Sequence, residues 1–209
     1  MDDRSDFSDK CAMARLRDIL IERPRILFVG INPSPRSESS GHHFAGPGNP
    51  FWRLMHASGL IPAALSHEED HRLAEFGLAI TNVCARATRA ASELKREELD
   101  RGERAVTRKI RKVKPRVVAF VGVSIYRRYV GPSATPGAGV KPETIDGARV
   151  FALPNPSGLN ASFPGFKDKL VWFEALRKFS DQLEAEINHA AAKPSGSALR
   201  SRKASRSRG

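Results

Sequence analysis

Cysteine is scarce in this 209-residue chain, which contains only Cys11 and Cys84. Two cysteines cannot build a disulfide framework, and they cannot supply the four ligands of a Cys₄ iron–sulfur cluster. The sequence also has no apolar run long enough to cross a membrane. Its first ten residues, MDDRSDFSDK, lack the basic start and apolar core of a signal peptide. We therefore expect a cytoplasmic protein without a membrane anchor.

Several well-known catalytic motifs are missing as well. There is no Gly-x-Ser-x-Gly elbow, no Gly-x₄-Gly-Lys-Ser/Thr phosphate loop and no paired-cysteine zinc framework. One metal pattern is present, because His67-Glu68-Glu69-Asp70-His71 matches the His-Glu-x-x-His motif. This match keeps a zinc peptidase as an alternative. The segment is short and acidic and no third ligand follows, so a solvated helix face is our preferred interpretation, and we expect no metal.

Acidic residues are outnumbered, with 23 Asp and Glu against 35 Lys and Arg and a formal net charge of +12. From His189 onward the chain has six basic residues and no acidic one, so half of the excess lies in this tail. Such a distribution predicts a polyanionic partner, most simply nucleic acid. Residues 191–209 are rich in Ser, Arg, Lys and Gly, and we expect them to be disordered.

Four short apolar runs without strict alternation are typical of parallel strands that are buried on both faces. They are Arg25–Ile31, Gly77–Val83, Arg116–Gly122 and Arg149–Leu153. Helical patterns lie around and between them, at Cys11–Glu22, Pro50–Ser58, Ser66–Phe76, Glu93–Lys114 and Lys167–His189. The alternation predicts an α/β fold with three α/β/α layers and a mostly parallel central sheet. We expect an N-terminal segment with a helix over residues 1–24, one domain over 25–190, and the basic tail.

Each predicted strand ends in a polar or a Gly- or Pro-rich segment. They are Gly30–Pro33, Thr81–Asn82, Gly122–Ser124 and Leu153–Asn160. Ligands bind beyond the carboxyl ends of the strands in open α/β sheets, so one site assembled from several loops is expected. The available chemistry is that of amide, hydroxyl, imidazole and aromatic groups. An amide such as that of Asn32 is no strong base, but it can hold a water for a bond that breaks largely by itself.

Five segments together resemble the mismatch-specific uracil-DNA glycosylase and thymine-DNA glycosylase family. They are GINP, GHHFAGPGNPFW, TNVCARAT, PRVVAFVG and LPNPSGLN, spread between Pro24 and Leu183. The chain departs from the family at Ser34-Pro35, where members commonly have Gly and an apolar residue. The resemblance implies the fold of uracil-DNA glycosylases. It implies that Asn32 positions the water that attacks C1′ of a flipped nucleotide. The base-binding residues that it implies are Ile31, Ser37, His43, Phe44 and Asn82.

The last motif resembles the family's wedge loop, which would fill the gap left by the flipped base and read the orphaned guanine. Its implied residues are Ser157, Gly158, Leu159 and Asn160. Flipping a base costs a few kcal/mol, and apolar wedges such as Leu159 serve this purpose elsewhere.

The resemblance implies a monomeric DNA-repair hydrolase without a cofactor. It would excise uracil from double-stranded DNA, best opposite guanine, and leave an abasic site. The iron–sulfur branch of uracil glycosylases is excluded by the two cysteines. A non-catalytic nucleic-acid-binding domain on a related fold is the alternative, although the presence of Asn32 speaks against it. In a bacterium we expect the protein at the nucleoid.

Overall fold

The computed structural model describes residues 16–157 and 162–192, and a five-stranded sheet forms its centre. The strands are β1 (Ile26–Gly30), β2 (Leu78–Asn82), β3 (Val117–Val121), β4 (Gly139–Ile145) and β5 (Ala148–Leu153), in the order β2-β1-β3-β5-β4. Adjacent strands are parallel except for β4, which pairs antiparallel with β5 at one edge. The four predicted strands and the mostly parallel sheet are therefore confirmed.

Strand β4 was not predicted, because Lys141 and Pro142 interrupt its apolar character. Proline is tolerated at the edge of a sheet, where one side of the strand needs no donor. Lys141 is buried and donates from Nζ to the carbonyls of Thr135, Pro136 and Gly137 at 3.1, 3.1 and 2.7 Å. A two-residue turn, Asp146-Gly147, joins β4 to β5 with both φ angles positive, as type I′ hairpins require.

Helices cover both faces of the sheet. They are α1 (Pro35–Ser40), α2 (Phe51–Ala57), α3 (Arg96–Val113), α4 (Val123–Val130) and α5 (Phe166–Ala192), with 3₁₀ helices at His67–Phe76 and Ala91–Glu93. Helices α2 and α5 pack on one face through residues such as Phe51 and Phe173. Helices α3 and α4 pack on the other through residues such as Val106 and Tyr126. The three-layer α/β/α architecture is thus confirmed. Among the described helices, none is long and apolar enough to cross a membrane.

The helix predicted over Cys11–Glu22 is wrong for its described part. From Leu16 onward this segment contains no helix, and Ile19 instead forms an antiparallel bridge to Ile80. Strand β2 is an edge strand, so its outer side has free backbone groups that an extended segment can satisfy. Residues 1–15 and 193–209 lie outside the described residues, and they include all of the predicted basic tail except residues 191 and 192, which end helix α5.

Candidate active site

A cavity of about 100 Å³ lies at the carboxyl edge of the sheet, where β1 and β2 end. It is lined by Leu16, Asn32, Pro33, Ser34, Ser37, His43, Phe44, Asn49 and Asn82. Five of the residues predicted from the sequence therefore meet around one small space. Ile31 lies outside this cavity and lines a groove that adjoins it. Its carbonyl accepts a hydrogen bond from Cys84 N–H at 2.8 Å, so part of its backbone is already engaged.

The amide of Asn32 is held in one orientation. Its Nδ2 lies 3.1 Å from the Pro33 carbonyl and 3.0 Å from the Arg86 carbonyl. Backbone carbonyls can only accept, so the nitrogen of the amide must face them and the identities of N and O are settled. A third acceptor, the hydroxyl of Thr88, lies 2.8 Å from the same nitrogen. The donors of Asn32 are thereby occupied, and Oδ1 is left as an acceptor beside the cavity.

Thr88 was not among the predicted residues. Its hydroxyl donates to the Ala90 carbonyl at 2.8 Å, so that the oxygen is free to accept from Asn32. Its own N–H donates to the Pro33 carbonyl at 3.2 Å, which ties the segment after β2 to the loop after β1. The segment TNVCARAT contains this threonine, but its contact with Asn32 spans 56 residues and no local pattern indicates it.

Phe44 is packed and accessible at the same time. One face of its ring stacks on Phe51, with centroids 3.9 Å apart and planes inclined by 17°. Since Phe51 covers that face, only the opposite face can meet a planar base in the cavity. Phe44 has a φ of 54°, a left-handed conformation that costs a bulky residue free energy. The surrounding contacts must therefore hold it there.

His43 is a buried neutral imidazole. Its Nε2 lies 2.9 Å from the Arg17 carbonyl, to which it must donate. Burial lowers the pKa of His43 below its ordinary value, and this effect outweighs the opposing hydrogen bond to Arg17 and the charge of Asp70. At neutral pH the hydrogen is therefore on Nε2, and Nδ1 carries a lone pair.

Ser34-Pro35, the departure from the family pattern, begins α1. The Ser34 side chain accepts from Ser37 N–H at 3.1 Å and Pro35 occupies the first turn, where its missing N–H has no cost. The hydroxyl of Ser37 is buried and accepts from the N–H of Ala45 at 3.1 Å. Ser37 therefore supports the loop around Phe44 as well as lining the cavity.

Asn82 lies across the end of β1. A Cβ atom at Gly30 would collide with Oδ1 of Asn82 and would lie 3.8 Å from the Phe44 ring. The absence of a side chain at Gly30 thus makes room for this amide. Among the described residues no side-chain hydrogen-bond partner of Asn82 is found, so its amide is available to a ligand.

The adjoining groove connects the first and last motifs. It has a volume of about 450 Å³ and runs past Asn32, Asn49, Arg89, Asn155 and Ser157. Asn155 Oδ1 accepts from Ser157 N–H at 2.9 Å, which makes an Asx turn at the start of the last loop. The predicted wedge residues Gly158, Leu159 and Asn160 lie outside the described residues.

The His67–His71 segment does not form the α-helix that the zinc motif needs. It belongs to a 3₁₀ segment whose winding is interrupted at Glu69, where the backbone angles (φ −100°, ψ 16°) are not helical. His67 and His71 therefore do not share the regular α-helical turn that the motif needs. Asp70 is turned inward and bonds to His42 and His43. Within residues 16–157 and 162–192, no group of three His, Cys, Asp or Glu side chains is placed to hold a metal ion.

Comparisons with known proteins show the family of the chain. A family model described as the uracil DNA glycosylase superfamily matches residues 19–187. A curated relative from Schizosaccharomyces pombe, named G/U mismatch-specific uracil DNA glycosylase, is 31% identical over 173 residues. That alignment covers 78% of this chain and 53% of the relative, so the chain spans about half the length of the relative. A solution NMR structure from Methanosarcina acetivorans, described provisionally as a uracil DNA glycosylase, superposes with a TM-score of 0.51 at 20% identity. The superposition covers 79% of this chain and 98% of the chain in the NMR structure.

Proposed function

The chain belongs to the uracil DNA glycosylase superfamily, and we propose that it hydrolyses the N-glycosidic bond of uracil in double-stranded DNA, preferring uracil opposite guanine. The product would be an abasic site and free uracil, the first step of base-excision repair. The preference for G·U is suggested by the name of the yeast relative and by the LPNPSGLN motif.

The locked amide of Asn32 is the observation that carries this proposal. With Nδ2 bound to three acceptors, Oδ1 can accept a hydrogen bond from a water and aim the water's lone pair at C1′. No carboxylate lines the cavity among the described residues, and its one titratable lining group, His43, is a neutral imidazole. Position, rather than a strong base, would therefore govern the reaction, which suits a bond that breaks before water attacks.

The remaining lining residues fit a uracil base. Phe44 offers its free face for stacking, and the amide of Asn82 offers both a donor and an acceptor to the polar edge. Arg89 is exposed on the adjoining groove and makes no ion pair within the described residues, so it is available to a phosphate. Leu159 would fill the gap that the flipped base leaves in the stack, as the family resemblance implies.

The proposed enzyme works alone. All groups of the proposed chemistry come from one chain, so we propose a monomer that needs neither a metal nor an organic cofactor. We place it in the cytoplasm, and at the nucleoid if the source is bacterial, because its substrate is DNA and its net charge is +12.

The test uses three end-labelled duplexes that are identical except for one G·U, A·U or G·C pair. The protein is incubated with each in EDTA, and alkali then cleaves at abasic sites. We expect cleavage at the G·U position, slower cleavage at A·U and none at G·C. Asn32→Ala is the matched control: it should bind the G·U duplex normally but lose most excision. Binding without excision by the wild type would instead support the non-catalytic alternative.

A further inference from the structure

Asp70 is a buried acid that belongs to the unused zinc-like motif. It is 5% exposed, and both of its carboxylate oxygens are engaged with the loop that precedes Phe44. Oδ2 accepts from the backbone N–H of His43 at 2.8 Å, and Oδ1 lies 3.1 Å from Nδ1 of His42. These contacts join positions 27 and 28 residues apart in the chain. Within the described part of the chain, Asp70 is not a lining residue of the cavity.

The residue that Asp70 holds is fixed from three directions. The carbonyl of His43 accepts from the indole Nε1 of Trp52 at 3.1 Å, and its ring donates to the Arg17 carbonyl. Asp70 supplies the acceptor for the remaining backbone group, the N–H. His43 immediately precedes Phe44, whose positive φ persists only while neighbouring contacts impose it. On the far side, Ser37 holds the N–H of Ala45.

We propose that Asp70 is a positioning residue for base binding, which holds the Phe44 ring over the cavity by fixing the backbone of His43. The inference rests on the proposed function, because Phe44 has a base to meet only if a nucleotide enters this cavity. Without the carboxylate, the buried N–H of His43 loses its acceptor. Phe44 is then free to leave its left-handed conformation, and its ring turns away from the cavity while the DNA-contacting surface stays intact.

The variants are chosen to separate positioning from folding. Asp70→Asn keeps an oxygen for His43 N–H, and its amide nitrogen can donate to His42 Nδ1 in the other tautomer. Asp70→Ala removes both contacts, and Asp70→Ser is a polar alternative too short to make them, in case Asp70→Ala does not fold. Glu68→Ala changes an exposed acid of the same 3₁₀ helix and is the matched control.

The first measurement is single-turnover excision from the G·U duplex as a function of enzyme concentration. We expect Asp70→Ala and Asp70→Ser to lower the maximal rate at least tenfold, with the half-saturating concentration unchanged. Asp70→Asn should recover to within about threefold of the wild type, and Glu68→Ala should match it. Wild-type rates in Asp70→Ala or Asp70→Ser, or equal losses in Asp70→Asn, would overturn the proposal.

The second measurement does not depend on catalysis. The chain has two tryptophans, so a Trp172→Phe background leaves Trp52 as the only one, with its indole N–H on the His43 carbonyl. Asp70→Ala and Asp70→Ser should shift its fluorescence emission, whereas Asp70→Asn and Glu68→Ala should not. An unchanged spectrum in Asp70→Ala and Asp70→Ser would refute the loop contact. If the wild type excised no uracil, the proposed function would fail, and this spectrum would still decide whether Asp70 holds the loop.

Discussion

The hydroxyl of Thr88 accepts a 2.8 Å hydrogen bond from Nδ2 of Asn32 and donates its own hydrogen bond to the Ala90 carbonyl. This pairing gives the amide a fixed direction, because a hydroxyl that already donates elsewhere can offer Asn32 only its lone pairs. The proposed water-binding residue at the end of β1 is thus oriented by a segment that follows β2. The geometry of the site therefore depends on the pairing of the first two strands.

We predict that Thr88→Val slows uracil excision by about tenfold without weakening duplex binding. Valine has nearly the same shape but no hydroxyl, and the loss of a hydrogen bond that contributes about 1.4 kcal/mol corresponds to a factor of ten in rate. Thr88→Ser keeps the hydroxyl and should stay within about threefold of the wild type. Single-turnover rates at saturating enzyme provide the comparison. If Thr88→Val and Thr88→Ser behaved alike, the orientation of Asn32 would not depend on this hydroxyl.

Gly30→Ala should act through Asn82. The new Cβ would collide with Oδ1 of Asn82, which lies at the end of a movable side chain, so we expect a folded protein with a displaced amide. Excision by Gly30→Ala should then fall to the rate of Asn82→Ala. Combining the two changes should cause little further loss, because both remove the same interaction. Additive losses in this double-mutant cycle would show that Gly30 has a separate role.

Stability should depend on pH through His43. Burial lowers the pKa of His43 in the folded protein, so near pH 6.5 this histidine is protonated in the unfolded chain but stays neutral in the folded one. The stabilisation from this group is complete above that pH and is lost as pH falls toward the lower folded-state pKa. In this window the free energy of unfolding should fall by up to about 1.4 kcal/mol per pH unit.

Urea denaturation at pH 5 to 8 should show a weaker dependence of the free energy of unfolding on pH for His43→Gln than for the wild type. His56→Gln, a change at an exposed histidine, is the control and should keep the wild-type slope.

Leu159→Ala should slow excision from a stable A·U pair more than from a G·U mismatch. We expect the side chain of Leu159 to offset part of the cost of flipping, and that cost is larger when the base is well paired. Single-turnover rates on the two duplexes give the ratio directly. Equal slowing on both would mean that Leu159 does not act as a wedge.

Much of the fold could be predicted because burial on both faces leaves uninterrupted apolar runs. Strands β1, β2, β3 and β5 were found in this way, and their carboxyl ends brought Asn32 and Asn82 together as expected. Strand β4 was not predicted because it contains a buried lysine. Three carbonyls of a loop accept hydrogen bonds from the Lys141 ammonium group, and no local sequence pattern indicates these contacts. The Asp146-Gly147 pair was the available signal for a hairpin there.

The supporting contacts of the site could not be predicted for a related reason. Thr88 and Asp70 act on residues 56 and 27 positions away, and hydrogen bonds of this kind leave no periodic pattern. The role of Asp70 was also hard to predict because the residue lies within a motif that resembles a zinc site. The backbone of this segment is not α-helical and is kinked at Glu69, and Asp70 is buried in it, so the local conformation favours a structural role over a metal site.

Discrimination between uracil and thymine depends on the space beside C5, where the two bases differ by one methyl group. We expect Ser37, one of the base-binding residues that the resemblance implies, to lie there. Its hydroxyl is fixed by the N–H of Ala45 and by the hydroxyl of Ser34. A wall that cannot move rejects a methyl group more strongly than a mobile one. Excluding a group of this size corresponds to about 1–3 kcal/mol, or roughly 10- to 200-fold in rate.

We therefore predict that the wild type cuts G·U much faster than G·T, and that Ser37→Ala raises thymine excision relative to uracil. Removing the hydroxyl also leaves the Ala45 N–H without its acceptor, so both absolute rates should fall. The ratio of the two single-turnover rates cancels this shared loss and reports the pocket wall alone. Ser37→Thr keeps the hydroxyl and adds a methyl group, so it should move the ratio in the opposite direction. A wild type that cuts both duplexes at similar rates, or a ratio that neither substitution changes, would place the discriminating wall elsewhere in the cavity.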